Sequence, residues 1–303
     1  LDLAVEGAIF SGFAFGGQRC TSLGTVFCHT KVHKEFLRKF SAALSAAKLG
    51  DPTKNVLFGP SQLSVDLTKC QAGWSDVTGL TDTTITIGLV LPQSGDQAAY
   101  NDLWLGMKVY FDWVNAHGGI AGRTIQLVTR DDGYDPAKTV PLVDELLDSS
   151  GSFLIQTLGS SNTLKVYDKL NSRCVPDPFI LSGHPAWGDP VNHPWAWGQI
   201  MAYTTEAILW GGLIEKQFAD RDEITVGAAI MQNDFGKAYE LGFTEFIKTS
   251  KVKINFVFER IEPAAPTITN QMTTLASKNP DVFIAMTAGT SCTQAIQEAA
   301  NNG

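Results

Sequence analysis

From Thr83 onward the chain alternates between short β-branched runs and longer amphipathic stretches. The runs at Thr83 to Leu91, Thr124 to Thr129, Phe153 to Leu158, Pro178 to Ser182, Ile224 to Met231, Ile254 to Phe258 and Val282 to Met286 predict strands. Between them, helical spacing of apolar residues predicts helices over Gln97 to His117, Pro136 to Leu147, Asn162 to Leu170, Tyr203 to Phe218, Gly236 to Thr249, Thr267 to Ser277 and Cys292 to Asn301. Strands that alternate with helices predict mostly parallel sheets, because parallel neighbours need a crossover between them. One stretch breaks the rhythm: Gly183 to Gln199 carries three Pro and three Trp and has no period. Its length marks it as the crossing from a first lobe into a second, with Ile224 opening the second sheet.

Before residue 62 the pattern differs. Ala4, Ala8 and the Ile9, Phe10, Phe13 cluster fall at helical spacing and stop at Gly16-Gly17, and Thr21 to His29 reads as a strand. Val32, Phe36, Phe40 and Leu44 recur every fourth residue and predict an amphipathic helix over Lys31 to Lys48. Gly50 to Leu80 is rich in Gly, Pro, Ser, Asp and Thr without a sustained period, the signature of turns and connections. Charge shifts at the same place, from seven basic and four acidic residues through Gln62 to 16 basic and 27 acidic after it. The expected organisation is a small α/β fragment over 1–62, a linker over 63–82, a first lobe over 83–200 and a second over 201–303. The fold class is α/β, two Rossmann-like lobes. A doubly wound lobe should carry another strand after its last helix, so the second lobe is expected to be incomplete, and Leu1 to be an internal position of a longer chain.

Composition narrows the function. With 44% hydrophobic and 18% charged residues in 303, the chain is globular. A net charge of -8 argues against nucleic acid and anionic membrane surfaces, which leaves small molecules as partners. No run reaches the length of a membrane-spanning helix. Five scattered cysteines without a CxxC pair suggest neither a zinc site nor a dense disulfide framework, and no metal or cofactor is expected. Cys70 lacks the apolar run of a lipidation signal and has Lys69 where a small residue belongs.

Ligands of open α/β sheets sit beyond the carboxyl ends of the strands. There the chain offers Pro92 to Asp96, then Gly159 to Thr163, then Gly183 to Trp187. Ser160 or Ser161 suits the N-cap of the next helix, where free N–H groups and the dipole favour a carboxylate. Asn233 or Asp234 has the same capping role open to it, together with a position facing the cleft. Asp131-Asp132-Gly133-Tyr134-Asp135-Pro136 ends a strand and sets Pro136 at the first position of a helix. Its aspartates lack the calcium-loop spacing.

The text from Thr84 to Gly95, from Leu105 to Val140, from Trp187 to Trp195 and from Gln232 to Tyr239 resembles the branched-chain amino acid type of ABC-transporter substrate-binding proteins. The resemblance implies two lobes closing about a hinge on an amino acid or similar small polar metabolite, outside the cytoplasmic membrane, with an ABC permease as partner. It implies contacts to a ligand's carboxylate and ammonium groups from Ser160, Ser161 and the His184 to Ala186 loop; Tyr100, Asn162, Trp187 and Asp234 are the further candidate contacts. His184 and Trp187 stand where that family has small residues, which leaves less apolar room. The family's acidic partner for an ammonium group is expected beyond Gly303, with Asp234 or Asp96 as substitutes. The same module also serves as the ectodomain of ligand-sensing receptors.

Phe15-Gly16-Gly17-Gln18-Arg19-Cys20-Thr21-Ser22 resembles the nucleophile motif of aldehyde dehydrogenases, with Cys20 as the remnant nucleophile. The general base, the oxyanion donor and the NAD domain of that family would lie before Leu1. The chain is therefore expected to be a binder and not an enzyme.

Overall fold

The computed structural model of the protein describes residues 5, 8, 30–46, 65–75 and 77–302. The chain divides into two compact units, Leu1–Lys69 and Cys70–Gly303. In the first, helix α1 (Thr30–Ala46) follows the four-residue apolar spacing. It buries Phe36 against Val5 and Ala8 and stacks it on Phe40 at 5.7 Å. The expected strand at 21–29 and Cys20 lie outside the described residues, as does the N-terminal helix apart from Val5 and Ala8, which are helical.

Among the described residues the second unit holds two three-stranded parallel sheets and a two-stranded parallel pair. In the first lobe β1 (Thr84–Leu91) runs between β2 (Thr124–Asp131) and β3 (Leu154–Thr157). Strands β4 (Asp177–Ile180) and β5 (Ala196–Gly198) pair parallel with each other. They join β3 through the Leu158–Leu181 bridge and a bond from Leu181 N–H to the Thr157 carbonyl at 3.1 Å. The helices are α2 (Asn101–Ala116), α3 (Pro136–Asp148) and α4 (Ser160–Ser172). In the second lobe β6 (Glu223–Met231) lies between β7 (Lys253–Ile261) and β8 (Val282–Met286), with α5 (Tyr203–Gln217), α6 (Asp234–Ile247), α7 (Thr269–Ala276) and α8 (Thr290–Asn302).

Burial explains why these runs become strands. On β6, Val226, Ala228 and Ile230 pack against Ala207 and Phe243, while Ala229 meets Ile261, Met272 and Ala295 on the other face. A strand covered on both faces is apolar throughout, as parallel sheets require. In the first lobe Val90 and Ile155 meet Val143, Leu146, Val166 and Leu170.

Three expectations change. The aperiodic 183–199 stretch contains β5, whose three residues are too few to show a period, and a 3₁₀ helix over Pro185–Gly188. The helix expected from Gln97 begins as a 3₁₀ helix, Gly95–Tyr100, with Gln97 itself at non-helical φ -106°, ψ 15°. Neither Ser160 nor Ser161 caps α4. The N-cap is Gly159 at φ 94°, where a side chain is strained and a Cβ would meet the Tyr134 ring at 2.6 Å.

Two connections hold the first lobe together that no local pattern announces. Cys70 and Cys174 form a disulfide across 104 positions, and Trp74 Nε1 donates to the Cys174 carbonyl at 3.1 Å while its ring meets Trp195 edge-on at 5.9 Å. Asp177, fully buried at the start of β4, accepts from Thr157 N–H at 3.1 Å. Its other oxygen lies 2.7 Å from Thr157 Oγ1, which lies 2.7 Å from Thr163 Oγ1. Burial pushes this carboxyl up to about 7, against the pull of the Thr157 bonds.

A raised carboxyl value means that the folded state holds its proton more tightly. The stabilisation is complete below about 3.8 and fades as pH rises through about 7. Calorimetry on Asp177→Asn should show a melting temperature that depends less on pH between about 4 and 7 than wild type, since a tenfold difference in proton affinity between folded and unfolded chain is worth about 1.4 kcal/mol. An unchanged pH slope would refute the buried neutral carboxyl. The paired substitution Cys70→Ser with Cys174→Ser should lower unfolding free energy by about 2–4 kcal/mol in urea titrations.

Candidate ligand-binding cleft

Strand order 2-1-3 reverses direction between β1 and β3, so a crevice opens at their carboxyl ends. The second lobe repeats the order around β6, and the N-terminus of α6 comes to face that of α4. Ser161 Oγ donates to Asp234 Oδ2 at 2.8 Å, and Asp234 N–H donates back to Ser161 Oγ at 3.1 Å. Two helix N-termini carry like partial charges, and the Asp234 carboxylate between them offsets their repulsion. Lys237 lies 3.6 Å from the same carboxylate, and Asn233 caps α6 by accepting from Gly236 N–H at 3.1 Å.

Around this contact the chain gathers hydroxyl groups. Ser160 Oγ is 2.8 Å from Ser182 Oγ, beyond the end of β4, and His184 N–H donates to Ser182 Oγ at 3.3 Å. The His184 ring accepts from Ala186 N–H through Nδ1 at 3.3 Å. Burial lowers its pKa, opposed by the Asp234 charge, so the ring is neutral at pH 7. Tyr100 follows β1, Tyr134 follows β2, and Tyr203 opens α5, its N–H bonded to the Gly183 carbonyl at 2.7 Å. Burial raises all three phenol pKa values, and Tyr100 adds to the rise at both Tyr134 and Tyr203. The phenols therefore stay protonated and can donate.

The remaining expected contacts sit elsewhere. Asn162 is buried and donates to Asp132 Oδ2 at 3.0 Å and Thr139 Oγ1 at 2.9 Å, bracing α4 against α3. The Ala186 carbonyl accepts from the Tyr167 hydroxyl at 2.7 Å. Trp187 is 6% exposed and packs with Tyr167, Ile180 and Ala196, its ring centroid 5.0 Å from that of Tyr167. It fills the first-lobe core. The acidic motif after β2 is also engaged locally: Asp131 accepts from Gln93 N–H at 2.7 Å, Asp132 from Tyr134 N–H at 2.9 Å, and Asp135 from Ala137 N–H at 2.9 Å.

Sequence reasoning missed Tyr134, Ser182, Tyr203 and Gln97. The first three each follow a strand or open a helix at the cleft edge, a signal that was available. Gln97 is buried at 2% exposure, and its Nε2 donates at 3.3 Å to the carbonyl of Ala288, beyond the end of β8. Nothing local marks that partnership.

Comparisons with known proteins agree with this fold. The family described as periplasmic binding protein matches residues 84–303, and the aldehyde dehydrogenase family matches residues 1–82. The Leu/Ile/Val-binding protein BraC3 of Rhizobium johnstonii is 32% identical over 87 residues, 28% of this chain and 24% of that protein. Alpha-aminoadipic semialdehyde dehydrogenase of Bos taurus is 36% identical over 61 residues, 20% of this chain and 11% of that enzyme. The chain spans a quarter or less of the length of these relatives. Among solved structures, the fatty acid ABC transporter substrate-binding protein from Thermomonospora curvata is similar with a TM-score of 0.68 at 21% identity, covering 76% of this chain and 58% of that one. A solute-binding protein of an ABC transporter from Rhodopseudomonas palustris, solved with 3,4-dihydroxybenzoic acid, gives 0.62 at 17% identity, covering 73% and 59%.

Trp187→Ala should remove core packing and lower unfolding free energy by about 3–5 kcal/mol. Trp187→Phe, which keeps an aromatic ring and drops an indole N–H that has no hydrogen-bond partner among the described residues, should cost much less. Equal losses in urea titrations of the two variants would show that ring packing does not carry the role.

Proposed function

The chain belongs to the periplasmic binding protein family, and on that premise we propose that residues 70–303 form the receptor of an ABC importer for a small organic carboxylate, an amino acid or a close analogue. The observation that carries this reading is the meeting of α4 and α6 across the cleft. The first turns of two helices, hydroxyls from Ser160, Ser161 and Ser182, and protonated phenols supply donors where a carboxylate would be held. The ligands named for the relatives, branched-chain amino acids, a fatty acid and 3,4-dihydroxybenzoic acid, share that group.

Binding would proceed by closure of the two lobes, because a ligand touching both favours the closed arrangement by its extra contacts there. The closed form would then be recognised by a membrane permease. No helix among the described residues is long and apolar enough to cross a membrane. The Cys70–Cys174 disulfide supports a site of action outside the cytoplasmic membrane, since disulfides persist in oxidising compartments. The dehydrogenase-like segment is short against its relatives, and no turnover is assigned to it.

A thermal-shift panel tests the reading. Branched-chain and other amino acids, their amides and small aromatic and aliphatic acids are added at millimolar concentration. A ligand bound only by the folded state raises the melting temperature by an amount set by RT ln(1 + [L]/Kd), about 2.7 kcal/mol at a hundredfold excess over Kd. At least one carboxylate should give a clear rise while its amide gives none. A flat response throughout would sink the assignment.

A further inference from the structure

Helix α2 carries apolar residues on every side, and the described residues cover only one of them. Trp104 and Met107 meet Leu89 and Leu91 of β1. On the other sides Leu103, Leu105, Val109, Tyr110 and Trp113 are exposed, the last three by 71%, 62% and 57%. A helix that is apolar all round is ordinarily an interior one. Its outward residues Asp102, Gly106, Val109, Trp113 and Ala116 follow alternating steps of four and three, the seam spacing of one helix packed along another. Tyr110 stacks on Trp113 at 6.1 Å, and the Trp113 ring meets that of His117 at 4.3 Å. Gly106 makes a notch in this seam. A Cβ there would meet nothing within 4 Å, so no contact among the described residues requires a glycine, and a glycine inside a helix weakens it. Lys108 and Asp112 pair with each other at 2.5 Å on the flank toward β2, which leaves Asp102 and His117 as the polar ends of the seam. The His117 Nδ1 donates to the Trp113 carbonyl at 2.7 Å, since a carbonyl only accepts, and Nε2 is left for another partner.

We propose that the outward face of α2 binds the same face of a second copy of this chain, the two helices lying antiparallel about a twofold axis between Val109 and Tyr110. A twofold contact has to be self-complementary, and this face is. Gly106 and Trp113 lie at equal distances on either side of that axis, as do Asp102 and His117. The Trp113 ring of each copy therefore enters the notch at Gly106 of the other, and the Asp102 carboxylate of each meets His117 of the other. Parallel pairing would set Asp102 against Asp102 and indole against indole. The antiparallel arrangement also places each helix N-terminus beside the C-terminus of the other, where their partial charges attract. A covered aromatic side chain buries about 150–250 Å². The two faces together then bury on the order of 1,000 Å², the small end of specific interfaces, which corresponds to association in the micromolar range.

Sedimentation velocity on the full chain, over a dilution series in the micromolar range, tests the pairing. The wild type should pass from monomer to dimer as concentration rises. Trp113→Glu and Gly106→Leu should each weaken association by about tenfold or more. Gly106→Leu fills the notch with a better helix former, so thermal melts followed by circular dichroism should show it at least as stable as wild type. Asp102→Lys should weaken association by about fivefold, and adding His117→Asp to it should restore the loss, because the exchanged charges meet again across the axis. Both exchanges oppose the helix dipole, so a merely structural effect would deepen in the double variant. A wild type that stays monomeric, association that Gly106→Leu and Trp113→Glu leave unmoved, or a double variant that fails to recover would overturn the proposal. So would a loss of stability in Gly106→Leu, which would mean that the chain itself covers this face.

Discussion

Parallel strands can be joined only by chain that returns to the same starting edge, so every crossover helix in a parallel sheet leaves from the opposite edge. In the Cys70–Gly303 unit this constraint gathers helix N-termini, with their unpaired N–H groups, at the carboxyl ends of β1, β3, β6 and β8. Nothing else about the cleft is as basic. The hydroxyls of Ser160 and Ser161, the Asn233 cap and the Asp234 carboxylate all answer the same electrostatic condition, an excess of donors in a sheltered place. Asp234 answers it with a charge drawn from the opposite lobe, so one residue serves both as filler of an anion site and as a contact between lobes.

The structure separates residues that look alike in sequence. Ser160, Ser161 and Asn162 are consecutive, yet Ser160 pairs with Ser182 inside its own lobe, Ser161 crosses the cleft, and Asn162 braces α4 against α3. A helix turns by about 100° per residue, so three neighbours point in three directions. Trp187 illustrates the reverse. A large aromatic in an aperiodic loop suggests a ligand platform, but the fold places it under Tyr167, where it supports the loop that carries His184.

How much was legible follows from the range of each interaction. The central strand β6 reads directly because residues buried on both faces form a continuous run without charge, as at Ile224 to Met231. Asp135 and Pro136 announce the start of α3 through the geometry of a first turn, which concerns adjacent residues only. β5 escaped because three residues hold no period, and the capping of α4 was misassigned because Gly159 takes the role through its backbone angle and offers no side chain to notice. The Cys70–Cys174 bond and the Gln97–Ala288 hydrogen bond join positions 104 and 191 apart. Such partnerships belong to the folded arrangement, and no local pattern encodes them.

The disulfide has a topological consequence. It closes a covalent ring from Cys70 to Cys174 that contains β1, β2, β3, α2, α3 and α4, and with them Gln97 and Ser161. Asp234 and Gly289 lie outside the ring, on open chain. The part of the first-lobe wall that carries Ser160 and Ser161 thus belongs to a closed loop of polypeptide, while Ser182 and His184 follow after it. A protease that cuts the backbone once within the ring releases nothing, and the wall that Asp234 meets stays in one covalent piece.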